Sequence, residues 1–105
     1  MTPPSLWDLV ELAAAADGAQ ALHLAVGKPP MIRIVGEGLR PLGDSLPTIT
    51  SKGIMRMLST VVDPESWDRI EQTGEGETVL SRGAGRPMRL VLFRNSEAWS
   101  VVVHL

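Results

Sequence analysis

Three groups of residues have types and spacings that could do chemistry: a Gly-Lys pair, two histidines, and arginines set among apolar residues. Gly27-Lys28 follows an apolar run, as the lysine of a phosphate loop does. A Walker A loop, however, needs a glycine five residues before that pair and a serine or threonine after it, because backbone amides wrap the phosphates and the hydroxyl binds magnesium. Those positions hold Leu22 and Pro29, and proline removes an amide donor as well. The pair reads as a turn. Gly74-Glu75-Gly76 and Gly83-Ala84-Gly85 resemble pieces of dinucleotide fingerprints, but neither opens a helix after a strand, so both read as turn glycines.

The remaining chemistry is sparse. The sequence has no cysteine, which excludes disulfides, thiol catalysis and thiolate metal sites. A metal held by His23 and His104 would need carboxylates for its other ligands, and a lone strand histidine is more often a hydrogen-bonded structural residue. No segment resembles a nucleophile elbow. We therefore expect no enzyme activity, no metal and no cofactor. Arg33, Arg89 and Arg94 all fall on expected strands, and Arg89 alternates with Leu90 and Leu92. They form either a solvated sheet face or a basic strip that meets a carboxylate or phosphate of another chain, which guanidinium forks bind bidentately. Trp99 packs in the core or at an interface.

Composition sets the frame for these residues. With 105 residues, 44% hydrophobic and 21% charged, the chain suits one compact domain, residues 1–105, with a real core. Its net charge of −2 lacks the basic footprint of a nucleic-acid binder. The longest apolar stretch near the start carries Glu11 and Asp17 and is broken by Gly18, so no membrane insertion is expected. The opening "MTPPSLWD" has no basic segment of a secretory signal, and a cytoplasmic location is the default.

The elements follow from periodicity. Leu6, Leu9, Val10 and Ala13 form one stripe of a helix over 5–16, with Ser5 as N-cap, Asp8 in the first turn and Gly18 as the stop. Residues 21–26 and 31–35 alternate about Gly27-Lys28-Pro29-Pro30 and read as a β-hairpin; "LRPL" follows as a short strand that Pro41 confines to an edge or an end. Ile54, Met57, Leu58 and Val61 mark a helix within 49–62, with Thr48 or Thr50 as its cap. The next helix has Asp63 as N-cap, Pro64 at its first position, Trp67 and Ile70 facing inward, and Gly74 as its end. "ETVLS", "MRLVLFR" and "WSVVVHL" are strands separated by the turns "RGAGRP" and "NSEA", too close together for crossover helices and hence antiparallel. The fold class is α+β.

"GAQALHLAVGKPPMIRIVGEGLRPLGD", followed by two helices and "MRLVLFRNSEAWSVVV", resembles the N-terminal domain of PilT-type ATPases, the hexameric retraction motors of type IV pili within the wider secretion-ATPase superfamily. The matching positions are Gly18, Ala19, Leu22, His23, Leu24, Gly27, Pro29, Pro30, Arg33 and Gly36, with Arg89, Phe93 and Arg94 in register further on. The resemblance implies a single PAS-like domain whose antiparallel sheet is flanked by helices. It also implies packing on a neighbouring subunit's motor domain, where Arg89 and Arg94 would meet nucleotide phosphates. The chain departs from the family pattern at Gln20-Ala21, Val35, Thr78 and His104, each time losing a charged or hydrogen-bonding group. It has no Walker segment, and its charge losses and its end on a strand favour a free-standing module over a piece of a longer motor.

The expected function is thus a non-catalytic adaptor of a type IV pilus, twitching-motility or secretion system. Its partner would be a motor ATPase or a pilus-base or polarity protein, or a second copy of the chain in a homo-oligomer. The expected interface comprises Arg33, Arg89, Arg94, His23, Trp67 and Trp99, acting through the sheet and the helix after Asp63, with Trp7 or Trp99 exposed. Two other readings are an excised domain of a retraction ATPase and a PAS-like sensor. The sensor would hold a small ligand between sheet and helices, against Met31, Met55, Met57 and Met88.

Overall fold

A computed structural model describes residues 5–43, 46–81, 86–96 and 98–105. The glycine pair at 83 and 85, most of the turn at 82–87, and Glu97 in the turn at 95–98 lie outside the described residues. Helix α1 (Leu6–Ala14) starts at a capping box in which Ser5 Oγ accepts from the Asp8 amide and Asp8 accepts from the Ser5 amide. It ends at Ala15, earlier than Gly18; that glycine instead uses a φ of +77° in the turn before β1 (Ala19–Ala25). Strand β1 begins two residues ahead of the expected start, with a register irregularity against β2 (Met31–Ile34) between Ala19 and Ala21. The third strand, β3 (Gly38–Pro41), pairs on one side only, which accommodates its proline.

Helix α2 (Ser51–Ser59) is capped by Thr50, whose Oγ1 accepts from the Gly53 amide at 3.0 Å. Helix α3 (Pro64–Thr73) has the Asp63 cap, first-turn proline and left-handed Gly74 stop that its sequence dictates. Gly74 leads directly into β4 (Glu75–Leu80), which therefore starts earlier than "ETVLS" suggests. Strands β5 (Met88–Asn95) and β6 (Ala98–His104) complete one antiparallel sheet in the order β3-β2-β1-β6-β5-β4. The α+β expectation holds.

Strand parity sorts the side chains onto two unlike faces. Leu22, Leu24, Ile32, Leu90, Leu92, Val101 and Val103 are buried with Leu6, Leu9, Ile54, Leu58 and Ile70 of the three helices. Helix α1 contacts β1, α2 contacts β6 and α3 contacts β4, so all three helices lie on that one face. The other face has no helix over it among the described residues.

Candidate functional site

The turn between β1 and β2 disposes of the phosphate-loop possibility in detail. Gly27 adopts a φ of +90°, and its amide donates to the Ile49 carbonyl at 2.9 Å, while the Lys28 amide donates to the Ala25 carbonyl at 3.2 Å. Ile49 returns a bond from its own amide to the Lys28 carbonyl at 2.8 Å. Both amides that could face a phosphate are spent, that of Gly27 on the loop before α2 and that of Lys28 on closing the turn itself.

The six expected interface residues do not form one site. Arg33, His23 and Arg89 share the uncovered sheet face, whereas Arg94, Trp67 and Trp99 belong to the helix-covered side. Arg89 and Arg94 sit five residues apart on one strand, and an odd separation puts them on opposite faces. Arg94 instead reaches the Trp99 ring, with its guanidinium carbon 5.5 Å from the centroid, a cation–π contact. Trp99 also meets Trp67 at 5.2 Å between centroids and 43° between planes. At 8% exposure Trp99 is a core residue, one of the two placements expected for it, and so it is not an exposed tryptophan of the interface: its parity matches that of Val101 and Val103. Trp67 is half-buried and, with Met55, Ser59, Val62 and Pro64, lines an apolar groove of about 230 Å³ between α2 and α3.

The uncovered face is laid out in cross-strand rows. One row runs Leu39–Arg33–Ala21–His104–Arg89–Val79 from β3 to β4, and the next runs Pro41–Met31–His23–Val102–Val91–Glu77. Leu39 is 47% exposed, Val79 62% and Phe93 38%. A concavity of about 430 Å³ lies on this face, bordered by His23, Lys28, Met31, Phe93, Ser100 and Val102 among others. Arg89 is within 3.7 Å of the Glu77 carboxylate, both side chains being largely exposed. His23 is held below the usual histidine range, first because burial strips water from its ring and then because Arg33 and His104 repel a second positive charge. Its Nε2 is buried without a hydrogen-bond partner among the described residues.

Sequence reasoning left His104 out of the interface set. The signal was available: with β5 and β6 joined by a short turn, pairing brings His104 opposite Arg89. Leu39 and Val79 were missed for another reason, since only the strand order shows that both flank the same row. No group of three His, Asp or Glu side chains placed to hold a metal occurs among the described residues, and no described helix is long and apolar enough to cross a membrane.

No protein-family model matches the chain, and no curated protein matches it in sequence. Solved structures do match. The pilus retraction motor PilT with bound ADP superposes with a TM-score of 0.83 at 20% identity, covering 97% of this chain and 29% of that one. The Legionella pneumophila ATPase DotB superposes with a TM-score of 0.75 at 12% identity, covering 99% of this chain and 30% of that one. The chain therefore spans under a third of the length of either ATPase, and what it shares with them is the fold of that portion.

Proposed function

We propose that this chain is a non-catalytic docking module of a pilus or secretion ATPase system, working in the cytoplasm and binding its motor through the uncovered face of the sheet. The observation that carries this reading is the contrast between the two faces. One is filled by three helices, and the other leaves Leu39, Val79 and Phe93 exposed beside Arg33 and Arg89. Exposed apolar area interleaved with arginine is the composition of a protein-binding surface. The shared fold with part of PilT and DotB supports a motor ATPase as the partner.

A small-ligand sensor fits less well. Leu22, Leu24, Leu90, Leu92 and Val103 fill the space between sheet and helices, and Met57 is buried among them. The larger concavity, of about 430 Å³, opens on the outer face and not between sheet and helices. Ligand pockets are as a rule more enclosed.

The test is to mix the purified chain with a motor ATPase from its own cell and follow both by size-exclusion chromatography and nucleotide turnover. Co-elution, with no hydrolysis by this chain alone, is the expected result. Separate elution at tens of micromolar, or turnover by the lone chain, would overturn the reading.

A further inference from the structure

The rows of the uncovered face place one small side chain between an arginine and two histidines. Ala21 on β1 pairs with Arg33 on β2 to one side and with His104 on β6 to the other. His23 is two residues along the same strand and so rises from the same face. Directly opposed residues of an antiparallel pair have Cβ atoms about 4.5–5.5 Å apart, so Arg33 and His104 flank Ala21 closely enough for both side chains to reach over it. Ala21 is only 4% exposed although no helix among the described residues lies on its side of the sheet, so its larger neighbours already screen it.

From this arrangement we propose that Ala21 is the floor of an anion seat, walled by Arg33, His104 and His23, that receives an aspartate or glutamate side chain from an apolar-flanked segment of a partner protein. The proposal rests on the docking reading above and specifies the chemistry of the docked surface.

Charge complementarity selects the occupant. Arg33 makes no ion pair among the described residues, whereas Arg40 has Glu37 and Arg89 has Glu77. One unpaired guanidinium matches one carboxylate, which it can hold bidentately. The surroundings are mostly apolar, with Leu39 and Met31 on one side and Val102 and Val91 on the other. Nothing in the seat resembles the glycine-rich backbone cradle that a dianionic phosphate uses. The buried and unpartnered Nε2 of His23 is a polar atom that, when it carries a proton, can donate to an incoming carboxylate.

The same geometry makes the seat pH-dependent. His23 faces Arg33 from β2 and His104 from β6, and shares its concavity with Lys28; the Arg89–Glu77 pair stands beyond His104. The charges nearest the ring are positive, so an empty seat resists protonation of His23. A bound carboxylate reverses that balance, and by linkage mild acid must then tighten binding.

The test is an NMR titration of the whole chain with a capped leucyl-glutamyl-leucine peptide, its glutaminyl counterpart and inorganic phosphate, at pH 6 and pH 7.5. We expect the glutamyl peptide to shift the ring signals of His23 and His104 saturably, more tightly at pH 6, with the glutaminyl peptide inert. Arg33→Gln should weaken binding about tenfold, as loss of a charge-assisted pair does, while leaving the urea midpoint unchanged. Equal response to the two peptides, or tighter binding of phosphate, would overturn the carboxylate assignment. Co-elution with the ATPase that survives Arg33→Gln and His104→Gln would also overturn the seat while leaving the docking reading intact. Loss of all co-elution in the wild type, with the glutamyl peptide still bound, would do the converse.

Discussion

At the scale of single residues, His23 shows how position changes a side chain's chemistry without any motif to announce it. Its sequence neighbours are apolar, and nothing in "ALHLAV" predicts a lowered pKa. The cause is the setting of β1 between two strands, where the ring is partly buried and, as a smaller effect, Arg33 and His104 come to the same face. The effect on stability has a definite sign. With a folded-state pKa below the ordinary 6.5, the unfolded chain takes up the proton more readily. The stabilisation associated with neutral His23 is complete above pH 6.5 and is lost as the pH falls through the folded-state value. The effect is modest, because the ring is only partly buried. His23→Gln should therefore flatten the decline of the urea midpoint between pH 7.5 and pH 5; an unchanged slope would assign that decline to other groups. Arg94 carries the opposite lesson. Counting residues from Arg89 is enough to put it on the other face, so the separation of the two arginines was legible in the sequence. Its contact with Trp99 was not, because that depends on how β5 and β6 pair.

At the scale of elements, what could be read in advance were the ends marked by strong local chemistry. Asp63-Pro64 and Gly74 bound α3 because a carboxylate cap, a pre-set φ and a left-handed stop act within a few residues. The end of α1 was misplaced at the Gly18 stop, since Ala15 closes the helix in ordinary right-handed geometry and the glycine serves the next turn. The early starts of β1 against β2 and of β4 against β5 were also hidden, because a strand's start is set by its neighbour's register. The packing of α3 on β4 is another effect that local signals do not show. A Cβ built on Gly76 would lie 2.5 Å from Ile70 Cγ1 and 2.7 Å from its Cδ1. That glycine is therefore a contact surface for a β-branched, buried side chain with little freedom to move aside. Gly76→Ala should destabilise the domain by about 1–3 kcal/mol, the usual cost of overpacking. Ile70→Ala removes the atoms it would strike, so the double variant should lose less than the two single losses summed. Urea unfolding followed by tryptophan fluorescence measures all three, and strict additivity would mean that the helix simply rides up off the strand.

At the scale of the whole molecule, the two faces of the sheet differ in what covers them, and the docking role proposed for the open one can be tested without knowing any atomic detail of a complex. Arg33 and Arg89 are exposed on the uncovered face and stand in one row, with the two central strands β1 and β6 between them. Arg94 is also exposed, but it leans on the aromatic pair at the helix-covered side. Three arginines with similar solvent access thus sample two different surfaces. Reversing the charge of an exposed arginine that lacks a buried partner changes folding stability little, typically within about 0.5 kcal/mol. Binding should respond very differently, because like charges set against each other across an interface are repulsive. Arg33→Glu with Arg89→Glu should abolish co-elution with the motor ATPase while the urea midpoint holds. Arg94→Glu should cost a little stability through the lost cation–π contact and leave co-elution unchanged. If Arg94→Glu were the variant that blocks the complex, the partner would be sitting on the aromatic groove by α3, and the uncovered sheet would need another explanation.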